Sequence, residues 1–437
     1  MIDPGLIMLG LFLLLLLTGA PIAIALGASG ALIMVTENLG APAIATNAYT
    51  SISKYPLLAL PLFILAGMVF ERAGVAERMV RFLSVLVGQW RGAKALVAIS
   101  VCLLLGGISG SGVADAAAVA AVMLPAMTRA GYPKAFSASL IAAGGTTAIL
   151  IPPSVGFILY SILVPQASVP AMFAAGIVPG FMAGLALIVP AIWLARRHQW
   201  EALPDLAAAA APKRSSAELW RLFREAIWGL IAPLIVLGGL RTGLFTPTEA
   251  AVVAASYGMF VGLVIYRSMT LRGLWLCFVD AAEVSAVVMI IMALASNFAY
   301  AGSVLGALDH LANFLIQVFN SPGAVLAAVM VMLLLAGMVL DAPSILLIFV
   351  PLLIPVALHF EWDLVWFGVL MTMNLAIGQI TPPMAVNLLV TARIAGVTVE
   401  QTTRWALWFV GALMVALLMV AIFPATALWV PTKMGFQ

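Results

Sequence analysis

The chain has 437 residues, of which 64% are hydrophobic and only 8% charged, and its formal net charge is +3. A soluble domain carries roughly 25% charged residues, so most of this surface cannot face water, and a soluble enzyme or nucleic-acid-binding module is excluded. Continuous apolar runs such as Leu6–Leu17, Val325–Leu335 and Ala412–Phe423 exclude a β-barrel, whose strands alternate, and leave helices as the way to span lipid.

At around 20 residues per crossing, the sequence reads as one all-α polytopic membrane protein with about 9–11 transmembrane helices plus two re-entrant hairpins. The first run has no basic stretch before it and reads as a span rather than a cleaved signal peptide. Cys102 and Cys277 lie far apart in apolar segments, as small buried hydrophobes rather than a disulfide or metal pair. His198, His310 and His359 show no ligand spacing, and no P-loop occurs, so no ATP hydrolysis and no organic cofactor are expected.

The polar stretch Arg196–Glu225 separates two halves, 1–195 and 227–437, with 196–226 as a cytoplasmic connector. In the first half, scaffold helices are expected over 5–73, with a break at Thr18–Pro21. An amphipathic arm over 74–93 follows, carrying Arg78 and Arg81 and suited to lie along the membrane interface. Next come a hairpin over 95–128 split at Gly106–Asp115, a broken helix over 137–165 split at Ala142–Ser154, and a closing helix over 170–195.

The second half repeats that order. Scaffold helices are expected over 227–301, broken at Arg241–Glu249, where Thr246-Pro-Thr-Glu249 is a capping-box pattern with proline at the first helical position. An arm over 303–320 holds Asp309 and His310; a hairpin over 323–358 is split at Ala336–Ser344. A broken helix over 364–392 is split at Asn374–Met384, and a closing helix runs over 404–430.

Each hairpin arm is too short to cross the bilayer alone. The pairs Pro152-Pro153 and Pro382-Pro383 stand at matching places in the two halves. A proline inside a helix costs about 3 kcal/mol or more, and non-helical backbone survives at membrane depth only where protein buries it or it lines a polar cavity. Paired Gly/Pro-interrupted segments point to the binding site of a secondary transporter. With the N-terminus outside, all but Lys54, Arg241 and Lys433 of the 20 basic residues fall on the cytoplasmic side. Both termini are then periplasmic, and the hairpins enter from opposite faces, so the halves are inverted repeats.

Several stretches carry a family resemblance: PLFILAGMVFERAGVAERMVRFL from Pro61, GGISGSGVADAAAVAAVMLPAM from Gly106, IPPSVGFILY from Ile151, AGIVPG from Ala175, GGLRTGLFTPTEAAVVA from Gly238 and NLAIGQITPPMAVNLLV from Asn374. In this order and over almost the whole chain, the sequence resembles the large membrane subunit of the tripartite ATP-independent periplasmic (TRAP) transporters. The resemblance implies a symporter of the ion transporter superfamily in the bacterial inner membrane. It implies two partners, a small membrane subunit and a periplasmic substrate-binding protein. It also implies uptake of a small carboxylate such as a C4-dicarboxylate, sialic acid or a sugar or keto acid. Sodium is the implied coupling ion, and a scaffold and an elevator-type transport domain are the implied moving parts.

Sodium takes hard oxygen ligands, which unwound carbonyls at half-helix ends supply. The first expected site joins Ser109, Ser111 and Gly112 to Thr146, Thr147, Leu150 and Pro152. The second joins Gly337 and Asp341 to Gly378, Thr381 and Pro382. Ser111, Asp115, Ser154, Ser344, Asn374 and Asn387 are the expected substrate lining. Family members commonly carry Ser-Ser-Thr and a later Gly-Pro at the first break, where this chain has Gly144, Gly145, Thr146, Ala148 and Ile149. Hydroxyl ligation at Gly144 and Gly145 is therefore excluded.

Asp115 and Asp341 occupy matching places just after their breaks. An intramembrane carboxylate is a functional candidate, but capping of the following half-helix is the favoured reading. Asp280 and Glu283 read as an interfacial acidic face. Two rival functions remain at this stage. A stand-alone anion transporter of the same superfamily would take up solute with no periplasmic protein, whereas an intramembrane enzyme would need a catalytic His/Asp/Glu/Ser constellation that the sequence does not offer.

Overall fold

A computed structural model of the protein describes residues 3–201, 216–319 and 321–436. Most of the polar connector, 202–215, and the side chain of Asp309 lie outside this description. Every regular element among the described residues is helical, and eight helices are long and apolar enough to cross a membrane. The chain is a multi-pass membrane protein.

The first half opens with α1 (Pro4–Leu17), α2 (Ile22–Thr36), α3 (Ala41–Ile52) and α4 (Ala59–Arg72), the last preceded by a 3-10 turn. The break between α1 and α2 falls where Thr18-Gly-Ala-Pro21 places it, since Pro21 cannot donate back into the helix before it. α3 is a short helix within the region 5–73 expected to hold the scaffold helices. Gly40, at φ 94°, turns the chain, and Pro42 stands in the first turn, where its missing N–H has no intrahelical partner to lose.

Then come α5 (Val75–Val87), α6 (Ala93–Ser109), α7 (Gly112–Arg129), α8 (Lys134–Ala148), α9 (Val155–Leu163) and α10 (Val169–Arg197). α5 is amphipathic. Val75, Ala76, Met79, Val80 and Leu83 are buried, while Glu77 and Arg81 pair on the exposed face, 3.6 Å apart.

The second half comprises α11 (Ser216–Arg241), α12 (Pro247–Phe260) with a π turn at its end, α13 (Leu271–Val304), α14 (Ala307–Val318), α15 (Pro322–Gly337), α16 (Ala342–His359), α17 (Leu364–Gly378), α18 (Val386–Ala395), α19 (Val399–Ile422) and α20 (Ala425–Met434). α12 starts with the expected capping box. Glu249 N–H donates to the Thr246 hydroxyl at 3.3 Å, and Thr246 N–H to the Glu249 carboxylate at 2.8 Å. The closing helix expected over 404–430 is instead two helices, α19 and α20, because Pro424 interrupts the N–H ladder.

Packing is exchanged between the halves. α2 lies along α13, and α4 along α12, while α4 and α13 also touch. A Cβ added to Gly30 would sit 2.6 Å from the Phe298 backbone nitrogen, so α2 and α13 meet almost backbone to backbone. In the other bundle, α7 and α8 pack on α18, and α16 packs on α9. The Arg72–Asp280 ion pair, 2.5 Å long and partly exposed, ties the end of α4 to α13.

Candidate functional site

The first hairpin turns at Ser109–Gly112. Gly110 takes φ 61°, and its α-carbon leaves no room for a side chain against the carbonyl oxygen of Pro153. A Cβ on Gly106 would lie 2.5 Å from the Ala148 α-carbon, and one on Gly112 2.8 Å from the Gly145 carbonyl oxygen. Three glycines, Gly106, Gly110 and Gly112, therefore seat the hairpin tip directly into the break between α8 and α9. Gly144 and Gly145 have the same cause: added Cβ atoms would meet Cys102 Sγ of α6 at 2.9 Å and Ala116 Cβ of α7 at 2.7 Å. A serine at either place would force the hairpin arms apart.

Ser109 Oγ donates to Asp115 Oδ1 at 2.6 Å and accepts from Ser111 N–H at 3.1 Å. Thr146 and Thr147 donate to the Ala143 and Gly144 carbonyls at 2.7 and 2.6 Å, leaving each hydroxyl oxygen free to accept. Ser154 is the N-cap of α9: it accepts from Phe157 N–H at 3.3 Å and donates to the Ile149 carbonyl. Pro152 and Pro153 share a cis peptide bond. The Leu150 carbonyl lies against Gly176 of α10, and Pro153 supplies the carbonyl at the hairpin tip.

The second hairpin and break are built likewise. Gly337 and Gly378 touch: a Cβ on Gly378 would be 2.6 Å from the Gly337 α-carbon. Met384 N–H donates to the Met338 carbonyl at 3.2 Å, tying the break to the hairpin turn. Thr381 donates to the Ile377 carbonyl at 2.7 Å, and Pro382-Pro383 is again cis. Asn374 Nδ2 donates to the Met330 carbonyl of α15. Ile151–Ser154 are buried at the first break, whereas Pro383 and Met384 are exposed at the second.

The two aspartates are not equivalent, and the capping expectation is corrected. Asp341 is the N-cap residue of α16 by position, yet its side chain makes no capping bond. Asp115 lies inside the first turn of α7, where the N-cap is Ser111, and its carboxylate binds Ser109 rather than a backbone N–H. Ser111 is the true counterpart of Asp341.

Buried polar atoms without partners gather around these turns. They are Asp115 Oδ2, Ser344 Oγ, Asn374 Oδ1, Gln379 Oε1 and both amide atoms of Asn387. Ser344, Asn374 and Asn387 are completely buried. Such atoms are normally satisfied, so a group of them marks a place for a ligand, ion or water. Asn387 begins α18 in the second half but stands beside Gly112 of the first hairpin, and its N–H donates to the Gln379 carbonyl at 3.1 Å. The structure thus brings Asn387 to the first hairpin tip. Ser154 is instead occupied as a cap. The Pro153 carbonyl lay outside the expected set, and Gly110 and Gln379, though within the expected turn and break, were not singled out there; Gln379 was detectable as a lone amide within an apolar run.

Four helices start at the breaks, α7, α9, α16 and α18, and four end there, α6, α8, α15 and α17. N-termini carry partial positive charge that suits an anion, and C-termini present uncapped carbonyls that suit a cation. Anionic solute and cation can therefore be held side by side with little fixed charge.

The family model described as "Tripartite ATP-independent periplasmic transporter, DctM component" matches residues 9–426. The chain is 36% identical to a C4-dicarboxylate TRAP transporter large permease protein of Pseudomonas aeruginosa, over 94% of this chain and 95% of that one. It is 36% identical to a 2,3-diketo-L-gulonate TRAP transporter large permease protein of Escherichia coli, over 98% and 99%. An isethionate TRAP transporter permease protein DctMQ of Oleidesulfovibrio alaskensis is also 36% identical, over 97% of this chain but 66% of its own length. Among solved structures, the YdaH transporter of Alcanivorax borkumensis shares the fold, with a TM-score of 0.64 and 16% identity over 99% of both chains. With matched breaks, a full-length family match and large-permease relatives, the chain belongs to the DctM component family and is the large subunit of a TRAP transporter.

Proposed function

We propose that this subunit imports a small organic anion, delivered by a periplasmic substrate-binding protein, by sodium-coupled symport with an elevator-type movement. The observation that carries the reading is the cluster of buried, unpartnered polar atoms where two hairpin turns and two helix breaks converge. Sodium would be held by carbonyls at the ends of α6 and α8, and of α15 and α17, with Thr146, Thr147 and Thr381 as added oxygen ligands. The anion would lie against the starts of α7 and α18, with Asn387 between them. Relatives named for a C4-dicarboxylate, a diketo-gulonate and isethionate suggest a carboxylate or sulfonate as cargo.

The exchanged packing of α2 on α13 and α4 on α12, and of α7 on α18 and α16 on α9, supports two inverted repeats related by an approximate two-fold axis. Under this reading α1–α4 and α11–α13 form the scaffold, α5 and α14 are interfacial arms, and the hairpins with their broken helices move together. The buried first break and exposed second break fit a state open on one side. The protein would reside in the inner membrane with both termini periplasmic, beside a small TRAP subunit. The test is uptake in proteoliposomes with the small subunit and binding protein added singly or together. Only the full set should give rapid uptake; equal uptake by this chain alone would overturn the reading.

A further inference from the structure

α10 and α19 pack together, and along their outer face runs an apolar groove of about 850 Å3. Its lining combines small residues, Ala186 and Pro190 of α10 with Gly411 and Ala412 of α19, and larger apolar ones such as Leu185, Val189 and Val415. A Cβ added to Gly411 would meet nothing within 4 Å, so the hollow is real space along the helix. From Met182 to Trp193, α10 rises about 16 Å at 1.5 Å per residue. That length is close to one leaflet of a hydrocarbon core about 30 Å thick.

One end of the groove is chemically distinct. Trp193 and Trp408 face each other there, with ring centroids 5.2 Å apart. Past Val189 and Trp193 the groove continues into a second hollow of about 570 Å3 walled by Ile192, Arg196 and Arg197. The Arg197 guanidinium lies 4.9 Å from the Trp193 ring centroid, and that of Arg196 5.9 Å from Trp90. Arg404, one turn before Trp408 on α19, stacks over Trp405 at 4.7 Å. Of the nearby acidic groups, Glu201 is turned inward onto Gly92, Lys94 and Tyr132, and Glu400 is the exposed carboxylate at the start of α19. A leaflet-long apolar trough, an indole pair and a guanidinium cluster follow one another in the order of acyl chain, glycerol level and phosphate.

We propose that this groove is a binding site for one anionic phospholipid of the bilayer, its acyl chain lying between α10 and α19 and its phosphate held by Arg196 and Arg197. Guanidinium forks match phosphate oxygens in pairs, and indoles favour the headgroup level. A neutral lipid would fill the trough but leave the two arginines without a net negative partner. Lipid binding here is independent of sodium coupling.

Native mass spectrometry of the delipidated, purified transporter tests this, with phosphatidylglycerol and phosphatidylcholine of the same chain length added in turn. The wild type should retain one phosphatidylglycerol in preference to phosphatidylcholine, by about fivefold for each guanidinium engaged. Arg196→Gln with Arg197→Gln should bring the two lipids to parity, and Gly411→Leu, filling the trough, should weaken retention of both. The wild-type preference should also collapse in high salt, a readout that needs no variant to fold. Equal retention of both lipids by the wild type, a preference indifferent to salt, or full selectivity in the double arginine variant would overturn the proposal. So would efficient cross-linking of Ala412→Cys to the small subunit, which would mean that protein covers the groove.

Discussion

The side-chain nitrogen of Asn387, in the second half of the chain, stands 3.1 Å from the point where a Cβ on Gly112 of the first hairpin would lie. Neither amide atom of Asn387 has a hydrogen-bond partner, and the residue is completely buried. A buried amide left unpaired costs on the order of 1–3 kcal/mol, a cost that a bound anion or cation would offset. Asn387→Leu should therefore leave the protein inserted and no less heat-stable, while lowering uptake about tenfold or more. Thermal melting and initial uptake rates together check this. A variant that melts early and transports normally would assign Asn387 to folding alone.

Gly337 and Gly378 hold the second hairpin and break in backbone contact. Gly378→Ala places a methyl carbon 2.6 Å from the Gly337 α-carbon, and overpacking of this kind costs about 1–3 kcal/mol. Gly378→Val should do more, separating α15 from α17 and suppressing sodium-dependent uptake. Gly411→Ala, with open space at its α-carbon, is the matched control and should melt like the wild type.

Replacing Asp115 or Asp341 should weaken the sodium response, each through a different break. Asp115→Asn keeps an acceptor for Ser109 but exchanges the unpartnered carboxylate oxygen beside the first hairpin turn for an amide nitrogen, a donor that cannot ligate a cation. The sodium concentration for half-maximal uptake should rise about tenfold, equivalent to some 1.4 kcal/mol. Asp341→Ala, and likewise Thr381→Ala, should weaken the sodium response through the second site. If uptake by all three variants saturates at the wild-type sodium concentration, these residues do not act on the cation.

Glu201 tests an anchor outside the membrane spans. Its carboxylate accepts from Gly92 N–H at 2.6 Å, Lys94 N–H at 3.2 Å and Tyr132 Oη at 3.0 Å, and pairs with Lys94 Nζ at 3.2 Å. It joins the turns before α6 and after α7 to the end of α10. Burial, with the Glu201 charge beside it, pushes the Tyr132 phenol above its ordinary range, so this hydroxyl remains the donor throughout the physiological pH range. Glu201→Ala should lower stability by about 3 kcal/mol, read as a clear fall in melting temperature, with Tyr132→Phe losing less.

Much of this architecture is legible in the sequence because proline and glycine punctuate it. The Thr18–Pro21 break, the Thr246/Glu249 capping box and the turns at Ser109–Gly112 and Gly337–Asp341 fall where backbone chemistry requires them. Periodicity does not say which turn a residue will face after folding. Asn387 was assignable to the second break, but its position against Gly112 depends on how the halves interlock. The aspartates were misread because the spacing from a break to a carboxylate does not reveal where the helix begins. Ser111, not Asp115, occupies the N-cap. Gly144 and Gly145 look like lost hydroxyl ligands in sequence, and only the nearness of Cys102 and Ala116 shows that they set the helix spacing. Pro424 was visible too, yet the apolar run through it concealed the end of α19.

The central claim is that helix ends at two matched breaks hold a cation beside an organic anion. Its most direct test is uptake into proteoliposomes containing both membrane subunits, with the loaded binding protein outside. Radiolabelled succinate, N-acetylneuraminate, 2,3-diketogulonate and isethionate would be tried in turn under an inward sodium gradient. One of these anions should accumulate only with the gradient imposed, and replacing sodium by potassium or choline should abolish accumulation. Accumulation at the same rate without sodium would contradict the account.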